Sequence, residues 1–105
     1  MIKPLLTEPE ASAELEDSAW WYESQRPGFG ERFFAAVDAC TERILRFPRS
    51  GALFPHTPPE LEIRRVPVKR FPYYVVYFET AEAIRILAIA HHRRRPGYWL
   101  ARVER

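Results

Sequence analysis

The sequence of 105 residues has one cysteine, four glycines and no long apolar run, and each shortage excludes a class of protein. Its single cysteine, Cys40, cannot form an internal disulfide, which is typical of a cytoplasmic protein. No apolar run reaches the ~20 residues that cross a bilayer, and no signal-peptide pattern follows Met1, so we expect no membrane partner. With so few glycines, the chain has no glycine-rich phosphate loop.

Residues that bind metals or act as nucleophiles are also scarce. The three histidines, His56, His91 and His92, show no metal-ligand spacing with the cysteine, and the sequence predicts neither a metal site nor a cofactor. There is no nucleophile elbow. Cys40 falls on the apolar side of a predicted helix, where we interpret it as a small buried hydrophobic residue rather than a reactive thiol.

What the sequence does contain is a core-forming composition and an uneven charge. With 47% hydrophobic and 29% charged residues, the chain is expected to form one globular domain over residues 1–105. Residues 1–60 carry six Lys/Arg and ten Asp/Glu, a charge of −4, whereas residues 61–105 carry ten and four, a charge of +6. The basic half favours an anionic partner, either nucleic acid or an acidic protein segment, over an ordinary solvated surface.

The first half of the chain is predicted to form an edge strand and a helical hairpin. Ile2–Leu6 is a short apolar run that contains a proline. A first helix should run to about Ser24, with its acidic residues, Glu14 among them, mainly away from the apolar face. A second helix should run from about Gly30 to Phe47. Its apolar stripe comprises Phe33, Ala36, Val37, Cys40, Ile44 and Phe47.

The second half is predicted to form a three-stranded antiparallel meander after an irregular loop, Pro48–Glu60. The three runs are Leu61–Val68, Phe71–Glu79 and Ala83–His91, followed by a possible helical turn at Leu100–Arg105. The last two runs are apolar at nearly every position, which indicates a sheet covered on both faces. The expected fold class is therefore α+β, with the helical hairpin packed on a mainly antiparallel sheet.

Several segments of the chain together resemble the RelE/ParE superfamily, the toxins of type II toxin–antitoxin systems. The similarity starts with the helix-hairpin phrase WYESQRPGFG at residues 21–30. It continues through Phe33, Ile44, Pro48, Arg64-Arg65, Arg70-Phe71-Pro72-Tyr73 and Tyr77 to His91-His92-Arg93-Arg94, Pro96 and Trp99. It covers nearly the whole chain in the correct order, and it implies the same fold that the periodicity predicts.

The resemblance implies two different activities. RelE-like members are ribosome-dependent endonucleases that cut mRNA, whereas ParE-like members are described as poisons of DNA gyrase. Members of both branches are neutralised by an antitoxin that wraps the toxin, so a complex with an antitoxin is expected. The strand end His-x-Arg-Arg is closer to the ParE-like side. We therefore expect a ParE-like growth inhibitor, with a RelE-like endonuclease acting on the ribosome and mRNA, or an inactive toxin-fold protein, as alternatives.

Cutting RNA without a metal requires a base, an acid and cations around the phosphate. The candidates for proton transfer are His91, His92 and Tyr98, and at most one of the two histidines should face a given site because neighbours on a strand point to opposite faces. Guanidinium groups pair bidentately with phosphate oxygens. The candidates for binding the target or a phosphate are Arg64, Arg65, Arg70, Arg93, Arg94 and Arg95.

The chain departs from the RelE pattern, so whether it is an enzyme stays open. Tyr74 stands where RelE-like enzymes carry a basic residue before the apolar core of the middle strand, and their preceding lysines are at best replaced by Arg65. Helical geometry places Trp20 opposite the apolar face, where it can anchor a partner or receive the C-terminal tail. We expect Trp20, Arg93 and Arg94 to contact the antitoxin, the arginines by steering and the ring by burial.

Overall fold

The computed structural model describes residues 2–104 and confirms the α+β fold class. The two helices are α1 (Pro9–Gln25) and α2 (Phe29–Arg46). The five strands are β1 (Leu5–Thr7), β2 (Ala52–Leu53), β3 (Arg64–Pro67), β4 (Tyr73–Glu79) and β5 (Ile84–His91). Two short 3-10 turns complete the chain, at Pro59–Leu61 and Leu100–Glu104. Neither helix within the described range is apolar enough over its length to cross a membrane.

All five strands form one mixed sheet in the order β1-β5-β4-β3-β2. The meander of β3, β4 and β5 is antiparallel as predicted, with Val66 opposite Val75 and Val75 opposite Ile89. The first strand pairs in parallel with the last, placing Leu5 opposite Ile84. β5 therefore lies between β1 and β4, so both of its edges are hydrogen-bonded.

The sheet is covered on both faces, which explains why β4 and β5 are apolar at nearly every position. The helical hairpin covers one face, where Ala11, Ala19, Phe33, Val37 and Ile44 pack against alternate strand residues. The other face is covered by the segment before β3 and by the C-terminal turn. Its largest side chain is Trp99, which is only 1% exposed.

The link between the helices is held by a carboxylate that the helical pattern did not identify. Glu23 accepts hydrogen bonds from the backbone N–H groups of Gly28 and Gly30, at 3.1 and 3.0 Å, and so satisfies free donors at the start of α2. A Cβ atom on Gly30 would stand 2.8 Å from the carbonyl oxygen of Ala19. Only glycine lets the two helices approach this closely.

Three details of the predicted secondary structure were wrong. The loop Pro48–Glu60 contains the two-residue strand β2, which pairs with Arg64 and Arg65. Phe47 does not continue the buried stripe of α2, because its backbone leaves helical geometry (φ −133°, ψ 77°), and its side chain is 62% exposed. The first strand begins at Leu5 rather than Ile2. The predicted final turn is present to Glu104, and Arg105 lies outside the described residues.

Candidate functional site

The predicted site residues after β5 lie on a compact turn. The backbone N–H of Arg94 donates to the carbonyl of His91 at 2.9 Å, and that of Tyr98 donates to the carbonyl of Arg95 at 3.2 Å. Gly97 has a φ of +85°, a left-handed conformation that suits glycine. The turn leaves the three arginine side chains, Arg93–Arg95, exposed and returns the chain to the sheet at Tyr98.

The two histidines at the end of β5 lie on opposite faces of the sheet, as strand geometry predicts. His91 packs edge-on against Tyr73 on the helical face, with ring centroids 4.9 Å apart. His92 stacks on Tyr74 on the other face, with centroids 4.2 Å apart. The two rings thus lie on different sides of the strand end, although both border one small cavity at this turn.

His91 is poorly placed to act as a base. Its Nδ1 accepts a hydrogen bond from the backbone N–H of Arg93 at 3.0 Å, so the neutral ring carries its proton on Nε2. Burial lowers the pKa of His91, and the positive charges of Arg93 and His92 lower it further. The imidazole is therefore neutral at neutral pH, with its lone pair engaged by the backbone.

Tyr98 is held by an acidic residue of α1 that the sequence assigned to other sides of the helix. Its hydroxyl donates to Glu14 Oε2 at 2.6 Å. Burial raises the pKa of Tyr98, and the hydrogen bond to Glu14 raises it further, so the phenol stays protonated. Glu14 also accepts from Arg102 at 3.1 Å and from the backbone N–H of Ile89 at 3.1 Å. The helical pattern failed here because a long carboxylate beside an apolar stripe can turn toward a neighbouring strand.

A small cationic cavity of about 220 Å³ lies beside this turn, on the face of the sheet away from the helices. One wall is a stack in which the Arg65 guanidinium lies 4.8 Å from the Phe54 ring and 4.7 Å from the Tyr74 ring. The opposite wall is Arg94, 4.0 Å from the ring centre of Tyr98. His92 and Arg95 also line the cavity. Its shape and charge suit a flat or anionic group.

The structure does not bring all the predicted arginines together. Arg64 donates to the carbonyl of Gly51 at 2.9 Å and lies 3.4 Å from Glu62, so it holds the connection before β2. Arg70 lies at the β3–β4 turn, with a φ of +73°, and lines a different groove beside α2. Of the six candidates, Arg65, Arg94 and Arg95 line the cationic cavity.

Trp20 lies on a separate surface. Its ring is 74% exposed and borders a shallow depression that includes Glu23, Glu31 and Phe34, with none of the arginines after β5 among its described lining residues. The alternative that the tail packs onto Trp20 was wrong, because the C-terminal turn packs with Trp99 on the sheet face away from the helices. The ring therefore remains available for a partner.

The described residues contain neither a cluster of metal ligands nor an exposed thiol. Residues 2–104 contain no group of three or more His, Cys, Asp or Glu side chains that could hold a metal ion. Cys40 is 6% exposed, and burial raises the pKa of its thiol, as expected for a residue of the core.

Chemically, this arrangement is better suited to binding than to cleavage. All three side chains considered for proton transfer line the cationic cavity. His91 and Tyr98 are engaged by hydrogen bonds with Arg93 and Glu14, which leaves His92 as the candidate whose ring is not engaged in this way. One histidine beside arginines can bind and orient an anion, whereas RNA cleavage also needs a second proton-transfer group.

Comparison with known proteins gives a consistent result. The family model described as the ParE toxin of the type II toxin–antitoxin system, parDE, matches residues 5–96. Toxin ParE2 of Mycobacterium tuberculosis, from strains CDC 1551 and H37Rv, is 35% identical over 86 residues, covering 80% of this chain and 76% of the relative. A solved structure titled "Chromosomal ParDE TA system from P. aeruginosa" superposes with a TM-score of 0.72 at 19% identity, over 86% of this chain and 96% of that one.

Proposed function

This chain belongs to the ParE toxin family of type II toxin–antitoxin systems, and on that premise we propose that it arrests bacterial growth by acting on DNA gyrase in the cytoplasm. The observation that carries the proposal is the family match over residues 5–96. The site geometry supports an inhibitor that binds its target, since two of the three candidate proton-transfer groups are engaged within the protein. The cationic cavity with Arg65, Arg94 and Arg95 is the surface we assign to the target.

We further propose that a cognate antitoxin neutralises the toxin by binding Trp20 and the turn that carries Arg93 and Arg94. The exposed ring supplies apolar area that a partner can bury, and the exposed arginines attract an acidic segment. Because the two features lie on separate surfaces, the partner must wrap around the domain, as an initially disordered segment can.

Unopposed expression tests the growth-inhibition proposal. We expect growth arrest with filamentation and a DNA-damage response while mRNA stays intact, and relief of the arrest when the antitoxin is co-expressed. The matched control is the same gene with an early stop codon. Normal growth in the presence of folded protein would favour an inactive toxin-fold protein.

The RelE-like alternative predicts a different outcome in the same cells. Cleavage of translated mRNA in phase with codons would contradict the gyrase proposal and identify an endonuclease. In that case His92→Ala should reduce cleavage, because His92 lines the cationic cavity and, unlike His91 and Tyr98, is not engaged by a hydrogen bond to Arg93 or Glu14.

A further inference from the structure

A further groove of the described protein shares no lining residue with the Trp20 depression or the cationic cavity. It has a volume of 690 Å³ and runs between α2 and the β3–β4 turn. Its floor contains Ala36, Ala39, Val66 and Phe71, and the cationic side chains Arg32, Arg43, Lys69 and Arg70 line it. None of its described lining residues is acidic. An apolar floor with cations of one sign around it is complementary to an acidic, amphipathic segment.

The backbone beside the groove cannot pair with an added strand. Val68 N–H points to β4, where it donates to the carbonyl of Tyr73 at 2.9 Å. The next residue toward β2 is Pro67, which has no N–H group, and its carbonyl oxygen lies 3.5 Å from the Cys40 Sγ. Strand addition would therefore lack its ladder of hydrogen bonds here.

The side of α2 that faces the groove is shaped to receive a helix instead. Ala35, Ala36 and Ala39 recur at helical spacing, and their small side chains allow the axis of a second helix to come close. Arg32 and Arg43 stand at the two ends of this row. They are 11 residues apart, a rise of about 16 Å, or roughly three helical turns.

We propose that this groove binds an acidic amphipathic helix of the antitoxin, an inference that rests on the proposed function. The helix would span about three turns, place small or branched apolar side chains on the alanine row, and present carboxylates near Arg32 and Arg43. The groove thus adds a third contact surface to Trp20 and the arginine turn, and it defines the conformation of the bound segment.

Paired charge reversals in the last turn of α2 test the inference. Arg43 and Arg46 are both exposed and three residues apart, but only Arg43 lines the groove. Arg43→Glu should slow association with the purified antitoxin encoded in the same module by about tenfold, whereas Arg46→Glu should stay within about twofold of the wild type. The two variants carry the same net charge, and both positions lie in the last turn of α2. Equal rates for them would overturn the inference.

A steric test is independent of charge. Ala39→Gln fills the floor of the groove and should raise the dissociation rate about tenfold or more, while Ala101→Gln, the same substitution at an exposed position outside the groove, should leave it unchanged. Circular dichroism of both variants checks that they fold. An unchanged dissociation rate for Ala39→Gln would overturn the proposed contact.

These binding measurements can fail separately from the proposed function. If the wild-type chain does not arrest growth, the growth-inhibitor proposal fails even if antitoxin binding depends on the groove. If instead Arg43→Glu weakens self-association of the toxin alone and leaves antitoxin binding intact, the groove is an interface between two copies of this chain, and the antitoxin assignment is overturned.

Discussion

At the scale of single residues, the strongest connections are made by side chains whose sequence positions look ordinary. Glu14 joins α1, β5 and the C-terminal turn through Tyr98, Ile89 and Arg102. A sequence pattern identifies the face of a helix from which a side chain starts, but a glutamate has enough reach to end elsewhere. The tyrosine could be selected from the sequence as a candidate, but the carboxylate that determines its state could not.

Removing the Tyr98 hydroxyl should weaken the fold. We expect Tyr98→Phe to lower the free energy of unfolding by about 1–2 kcal/mol, since the hydrogen bond to the Glu14 carboxylate is lost. Unfolded tyrosine ionises near pH 10. Because the folded pKa is raised, the unfolded state loses its proton first, and the wild-type advantage should shrink as the pH rises above about 10.

Urea denaturation of both proteins at several pH values measures this effect. Trp20→Phe, at an exposed position, serves as a control that should leave the free energy of unfolding nearly unchanged. A wild-type advantage that grows above pH 10 would contradict the assignment of Tyr98 as the protonated donor.

At the scale of elements, the helices and the meander could be predicted from the sequence, because the hydrophobic pattern of each repeats over many residues. The two-residue strand β2 has too few positions to show a period, and no sequence pattern specifies that β1 pairs in parallel with β5. The apolar character of β4 and β5 correctly indicated that a second layer packs on the face of the sheet away from the helices. Its identity followed only from the packing of Trp99 against that face.

Arg85 holds the C-terminal turn against the sheet, and its loss should loosen that turn. Its guanidinium is 2.9 Å from Glu8, with side chains only 13% and 11% exposed, and it donates to the carbonyls of Arg102 and Val103 at 2.8 and 3.0 Å. We expect Arg85→Ala to cost about 3–5 kcal/mol of unfolding free energy, because it removes one partner of a buried ion pair.

Hydrogen exchange separates local loosening from a general loss of stability. In Arg85→Ala, the amides of Leu100 and Arg102 should exchange faster than the change in global stability explains, while those of the α1–α2 link should follow the global change. Arg46→Ala is the exposed control. A uniform increase in exchange would contradict the role of Arg85 as the fastener of this turn.

At the scale of the whole molecule, the features proposed to meet the antitoxin are spread over the domain. Trp20 lies beside acidic residues of the hairpin, whereas Arg93 and Arg94 follow β5. The uneven charge was visible in the sequence. The distribution of the arginines over several surfaces was not, because it depends on which strand each one follows and which way the chain turns there.

Charge and apolar burial should therefore affect different rates of antitoxin binding. Arg93→Glu with Arg94→Glu should slow association and reduce its dependence on salt, whereas Trp20→Ala should speed dissociation. Stopped-flow and surface-binding measurements separate the two rates. Arg46→Glu with Arg49→Glu, and Trp21→Ala, are the matched exposed controls. An association rate that ignores salt between low and physiological ionic strength would contradict the steering role.

The parallel pairing of β1 with β5 also determines when the sheet can close during synthesis on the ribosome. Leu5 pairs with Ile84, which is translated 79 residues later. At typical synthesis rates of about 5–20 residues per second this interval is roughly 4–16 s, during which β1 exists without the strand that lies between β1 and β4. The helical hairpin is complete at Arg46, 38 residues before Ile84, so its apolar face waits roughly 2–8 s for β5. A chain that is terminated before Ile84 therefore cannot join β1 to the rest of the sheet.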